Sequence, residues 1–184
     1  MIHDFFQTLR QPEYIHILLN PLPVYATAMG VVGLLLALLI RSRAAQGVGL
    51  AIILIGCLSI WPVMEYGDRA ADRVQSMANS EGNKWLQEHD RRADVAPWVF
   101  YPTGVIAIVA ILALWKLPKA SQWLTYLALL GAVLALGVGG WISQAGGKIR
   151  HSEFQHGPPP TERSGKSHLE GEPPGEPRVS TVSP

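Results

Sequence analysis

Residues 22–40 read LPVYATAMGVVGLLLALLI, an apolar run without a single Asp, Glu, Lys, Arg or His. At about 1.5 Å of rise per residue such a run, wound as a helix, covers the roughly 30 Å of a bilayer's hydrocarbon core. A lipid-exposed strand would leave main-chain N–H and C=O groups unpaired, so the run is read as a membrane-crossing helix. Working outward, three further stretches qualify on the same grounds: Gly47–Met64, Val99–Trp115 and Gln122–Ser143.

The first two spans are joined by Arg41-Ser-Arg-Ala-Ala-Gln46 and the last two by Lys116-Leu-Pro-Lys-Ala-Ser121. Connections this short force neighbouring helices to run in opposite directions. The expected fold is therefore all-α: an integral membrane up-down-up-down four-helix bundle spanning residues 22–147. A short interfacial segment, 1–21, precedes it. Small residues four apart, Ala26/Gly30, Gly33/Ala37 and Ala135/Gly139, would let helix backbones approach closely where lipid provides no hydrophobic drive between helices. No internal repeat is evident.

Composition agrees with this reading. The 184 residues are 48% hydrophobic and only 16% charged, and most of that charge lies in residues 67–94 and 148–184. Net charge is +1, so nucleic acid, which demands a basic field, is not an expected partner. Cys57 lies within a span, where a packing role is the default. The start of the chain has no basic leader feeding a short apolar core, so the first span is expected to direct insertion itself.

The segment 67–98 repeats apolar residues at helical spacing, first Ala70, Val74 and Met77, then Trp85, Leu86, His89 and Ala93. It is read as an amphipathic loop of two short helices broken near Ser80-Glu-Gly82, lying on the membrane surface or over the bundle mouth. Residues 148–184, rich in proline and glycine, are too polar to bury a core and are read as a disordered tail. The short connections carry Arg41, Arg43, Lys116 and Lys119 and no acid, which places them in the cytoplasm of a bacterial plasma membrane with both termini outside.

With this topology, one membrane face collects the unusual residues. His16 precedes span one, Glu65 ends span two, His89 precedes span three, and His151 with Glu153 follows span four. Pro21, Pro23, Pro62 and Pro102 weaken helices at the same end, opening space that membrane proteins fill with a cofactor or line with protein. Neutral imidazole binds iron, zinc and copper, and a four-helix bundle can hold a haem between facing helices. His16, His89 and His151 are the candidate ligands of haem b or a transition metal, with Glu65 or Glu153 as an oxygen ligand or as the group that fixes a ring tautomer. Each also has a bland reading. His16 could be an interfacial side chain, His89 the packing of an amphipathic helix, and His151 part of a basic cluster meeting lipid head groups.

Taken together, His16-Ile-Leu-Leu-Asn-Pro-Leu-Pro23, a histidine-bearing polar segment before span three, and Gly146-Gly147 with Ile149-Arg150-His151-x-Glu153 resemble a family of small bacterial four-helix membrane proteins catalogued as a domain of unknown function. That family opens on a pattern similar to His-Pro-x-x-Val-His-Phe-Pro and closes on a Gly-Gly pair. His16, Pro23, Gly146 and Gly147 match it, while Ile17 and Pro21 stand where a proline and a second histidine are usual. The resemblance implies the architecture and singles out both ends of the bundle, without a reaction.

Two functions follow from these residues. One is a redox component exchanging electrons with a quinone or a soluble, membrane or periplasmic carrier. The other is a non-catalytic membrane subunit or anchor that assembles with a partner protein. A homo-oligomer is compatible with so thin a bundle. No Ser, Cys or acid pair sits in an activating context, so an enzyme with its own nucleophile is not expected.

Overall fold

A computed structural model of the chain describes residues 6–155. Among them every regular element is helical: α1 Pro12–Leu19, α2 Leu22–Leu39, α3 Arg43–Leu58, α4 Ile60–Met77, α5 Ser80–Ala93, α6 Ala96–Lys116 and α7 Pro118–Arg150, with a 3₁₀ turn at Ser152–Phe154. The tail expected from residue 148 lies outside the described residues from 156 onward, while α7 itself runs through Lys148 to Arg150.

These elements join into four rods long and apolar enough to cross a membrane: Pro12–Leu39, Arg43–Met77, Ser80–Lys116 and Lys119–Arg150. At 35 residues the second reaches roughly 50 Å, well beyond a hydrocarbon core of about 30 Å. The surplus is polar. In the third rod the apolar part begins at Ala96, and α5 is its charged extension.

Proline marks the joints. Pro21 caps α2, Pro62 sits in the first turn of α4 just past the α3–α4 joint at Ser59, and Pro97 sits in the first turn of α6. A proline lacks its N–H and crowds the carbonyl four residues back, so a helix tends to break at that point. At the second joint Ser59 donates its hydroxyl to the Gly56 carbonyl at 2.7 Å.

The apolar parts close into a bundle in which α2 packs on α3, α3 on α6, α6 on α7 and α7 on α2. Phe100, Leu34, Leu50, Ile53 and Cys57 are fully buried at its centre, with alanines 107, 110, 128, 132 and 135. Leu35, Leu39, Ile55, Leu112 and Leu134 face outward, as suits a lipid-facing surface. Trp98, Trp115 and Trp123 are each more than 70% exposed, as suits side chains at a membrane interface.

Within the apolar bundle α2 and α3 approach closely. A Cβ added at Gly30 would lie 2.8 Å from the Ile53 backbone nitrogen, and one at Gly49 would lie 2.9 Å from that of Leu34. Of the small residues singled out in the sequence, Gly30 and Gly139 make such contacts, Gly139 meeting Val24.

A pattern absent from the sequence reading emerges here. Thr27 of α2 sits against Gly56 of α3, and Thr103 of α6 sits against Gly131 of α7. Each threonine follows a proline by six residues, Pro21 and Pro97. The α1–α4 half and the α5–α7 half thus repeat one crossing contact although the residues between show no similarity.

Candidate functional site

Beyond the apolar bundle the helices regroup. α1 packs on α4, α5 packs on the last turns of α7, and the two pairs barely touch each other apart from the α4–α5 connection. Each pair is tied by side chains. On one side Glu13 of α1 forms an ion pair with Arg73 of α4. On the other, buried Arg92 of α5 donates to the Trp141 carbonyl at 2.6 Å and to Gln144 Oε1 at 2.9 Å. Its Nε reaches Glu88 at 2.7 Å, and its guanidinium lies over the Trp141 ring. Trp85, Leu86, Ala145 and Ile149 form a small second core under α5, with Lys148 Nζ over the Trp85 ring at 4.1 Å.

Within this frame two histidines occupy equivalent seats. His16 Nδ1 is 2.9 Å from the Val63 carbonyl, and its ring lies against Gly67, where an added Cβ would sit 3.0 Å from Cε1. His89 Nδ1 is 3.1 Å from the Ile142 carbonyl, and its ring lies against Gly146, where an added Cβ would sit 3.2 Å from Cε1. In both cases the glycine follows the accepting carbonyl by four residues, one helical turn. The glycine removes the side chain that would cover the groove, and the ring drops in far enough to reach the backbone.

The chemistry of these contacts fixes the tautomer. A carbonyl oxygen only accepts, so each Nδ1 carries a proton, and a ring in its neutral form presents its Nε2 lone pair. Among the described residues neither Nε2 has a hydrogen-bond partner. Burial lowers the pKa of His89, its hydrogen bond to the Ile142 carbonyl works against this, and the charges of His16 and Arg92 lower it a little further.

The surroundings are acidic. Asp68 follows Gly67 and Asp90 follows His89. Burial, then the charges of Asp68 and Asp94, push the Asp90 carboxyl up to about 6. Glu88 goes the other way, held down to about 2 chiefly by its hydrogen bond from Arg91, with Arg92 adding to it.

The remaining sequence candidates lie elsewhere. Glu65 is half-exposed and paired with Arg69 one turn on. His151 is 57% exposed, with Nδ1 2.9 Å from Glu153 and its ring beside Phe154. Pro23 is buried at the start of α2, and Gly147 faces open space. Among the described residues no group of three or more His, Cys, Asp and Glu is placed to hold a metal ion. Of the three candidate histidines, His16 and His89 are each seated on a backbone carbonyl, and His151 pairs instead with Glu153. Sequence reading had included both but missed Gly67, whose signal is its place one turn after a carbonyl that a distant histidine takes.

No protein family, curated protein or solved structure matches the chain. In its neutral form an imidazole held by Nδ1 presents Nε2 as a donor for a soft or borderline metal, and the backbone carbonyls behind His16 and His89 hold the rings in place and raise their basicity.

Proposed function

We propose that this protein is an electron-transfer component of a membrane, carrying a haem or another transition-metal centre on His16 and His89 beyond one end of its apolar bundle. The observation that carries the reading is the matched pair of rings on two separate helix pairs, each with Nδ1 committed to a main-chain carbonyl and Nε2 left open. A packing role alone does not call for both histidines to adopt the same tautomer within electrostatic reach of each other. When bound, the group would supply a one-electron relay. The chain's own residues hold it: α1 and α5 present the ligands, and the Glu13–Arg73 and Arg92–Glu88 contacts keep those helices docked.

In this reading the four rods run up-down-up-down, with α4 and α5 forming the amphipathic connection between the second and third crossings. The lysines and arginines of the two short turns favour a cytoplasmic side for them. The histidine end then faces the outside of a bacterial plasma membrane, where a soluble or membrane-bound redox partner or the quinone pool can meet it.

The test is purification of the full chain in mild detergent, with absorption spectra of the oxidised and dithionite-reduced protein and elemental analysis of the same sample. A reduced-minus-oxidised signal, or a transition metal, at one equivalent per chain is the expected result. A colourless, metal-free protein overturns the reading and favours the anchoring role.

A further inference from the structure

We infer that the flank shared by α5, α6 and α7 binds one anionic phospholipid, its phosphate held by Arg91 and Lys148 and an acyl chain lying in the groove between α6 and α7. The site shares no side chain with the seats of His16 and His89, so it stands independently of the function proposed above.

The groove takes hydrocarbon. Trp98, Pro102, Thr103 and Ile106 of α6 and Leu130 and Leu134 of α7 line an open apolar trough of about 260 Å³. Past Trp98, Pro102 and Ile106 it continues into a second apolar hollow of about 550 Å³ along α6. Gly131 brings no side chain to the floor and lies against Thr103, which donates its hydroxyl to the Val99 carbonyl. The lining therefore suits a chain of methylenes and not a polar ligand.

The head of the trough is cationic. Trp141 follows Leu134 by seven residues, two helical turns, and so lies on the same face of α7. The guanidinium groups of Arg91 and Arg92 lie over its ring, 5.7 and 4.7 Å from the centroid. Two turns further on, Lys148 places Nζ over Trp85 at 4.1 Å. Among the described residues Glu88 is the one acid engaged with this group, accepting from both arginines. Three cations against one carboxylate leave two positive charges unbalanced. Arg92 is buried and committed to the Trp141 carbonyl and Gln144, whereas Arg91 is half-exposed and Lys148 has no ion pair among the described residues. Those two remain open to an anion.

Length agrees with a lipid. From Leu127, at the foot of the trough, to Trp141 is 14 residues, roughly 20 Å of helix. One leaflet with its head groups measures the same, half of the roughly 40–45 Å of a whole bilayer. A chain seated in the trough thus brings its phosphate to the cationic shelf on Trp141.

The experiment is native mass spectrometry of the delipidated full chain in mild detergent, titrated with phosphatidylglycerol or phosphatidylcholine of the same acyl chains. A basic residue near a membrane surface contributes about fivefold in affinity for anionic lipid. Two unbalanced charges then predict one saturable phosphatidylglycerol per chain, bound about 25-fold tighter than phosphatidylcholine, with the preference shrinking at high salt. Arg91→Gln and Lys148→Gln should each cut the preference about fivefold and together abolish it. Leu130→Trp, which fills the trough, should weaken both lipids. Leu112→Trp and Lys119→Gln, at exposed positions away from the site, should change nothing.

Equal binding of the two lipids, uptake without saturation, or a preference that survives the double variant overturns the inference. So does inorganic phosphate that displaces the lipid at equal concentration, since the trough would then contribute nothing. Should the variants fail to accumulate, the lipid discrimination and salt dependence of the wild type decide.

Discussion

Thr27 and Thr103 occupy matching places in the two halves but differ at a single hydrogen bond. Thr103 Oγ1 donates to the Val99 carbonyl at 2.7 Å, whereas Thr27 Oγ1 is buried with no partner among the described residues. An unsatisfied buried hydroxyl costs more than an apolar group of the same shape. Thr27→Val is therefore expected to stabilise the protein by about 1 kcal/mol, and Thr103→Val to destabilise it by about 0.5–1 kcal/mol. Denaturation in detergent, run on both variants, checks the contrast, and equal effects would contradict it. Residue-level reading from sequence reached His16 and His89 because a histidine beside a membrane boundary stands out chemically. It also admitted His151 and Glu65, since nothing in a linear pattern shows that an exposed helix end or a neighbouring Arg69 has already satisfied them. Gly67 and Thr27 were beyond reach, because their roles exist only against a partner helix.

Glycines in the apolar helices separate into two kinds that sequence cannot tell apart. A Cβ at Gly56 would meet the Thr27 backbone nitrogen at 2.8 Å, while a Cβ at Gly137 has nothing within 4 Å. Gly56→Ala must push α2 and α3 apart and should cost about 1–3 kcal/mol, against a neutral effect or a gain of up to about 1 kcal/mol for Gly137→Ala. Thermal unfolding of the two variants distinguishes them. The docking of α5 has a pH signature that the same method can read. Protonated Asp90 is favoured in the folded state, so its contribution is full below the ordinary 3.8 and is lost as pH rises through about 6. Asp90→Asn should match wild type at pH 3.5 and exceed it by about 1 kcal/mol above pH 6.5, a value reduced for the solvent exposure of the side chain. Glu88 has the opposite sign: its stabilisation is present above 4.5 and disappears as pH falls toward about 2. The advantage of wild type over Glu88→Gln should shrink across that interval. The existence of the four apolar helices was plain from residues 22–40 and their counterparts. The docking of α5 onto α7 was not, because Arg92 reaches a carbonyl 49 residues away.

At the scale of the whole molecule the orientation proposed from the short turns has a direct assay. Cys57 is buried, so a membrane-impermeant maleimide should find little background on the native chain. In intact cells Glu153→Cys should be labelled and Lys119→Cys should not, and the reverse pattern would invert the protein in its membrane and put the histidine end in the cytoplasm. Sequence conveyed the hydrophobic architecture because lipid imposes a simple length rule. The twofold plan stayed hidden, because it resides in which small residue meets which partner and not in resemblance between the halves.

The halves are not the same height. Thr27 follows His16 by 11 residues and Thr103 follows His89 by 14, while Val63 follows Gly56 by 7 and Ile142 follows Gly131 by 11. The second half is longer by about one turn on both of its helices, and the histidine still finds its carbonyl and its glycine. This imposes a rule on insertions and deletions. One residue added to α7 between Gly131 and Ile142 would rotate the seat by about 100° and take it out of reach of His89, and the same addition in α6 would swing the ring away instead. Length can change here only by whole turns, and only when both members of a pair change together, so these two helices are bound to evolve as one unit.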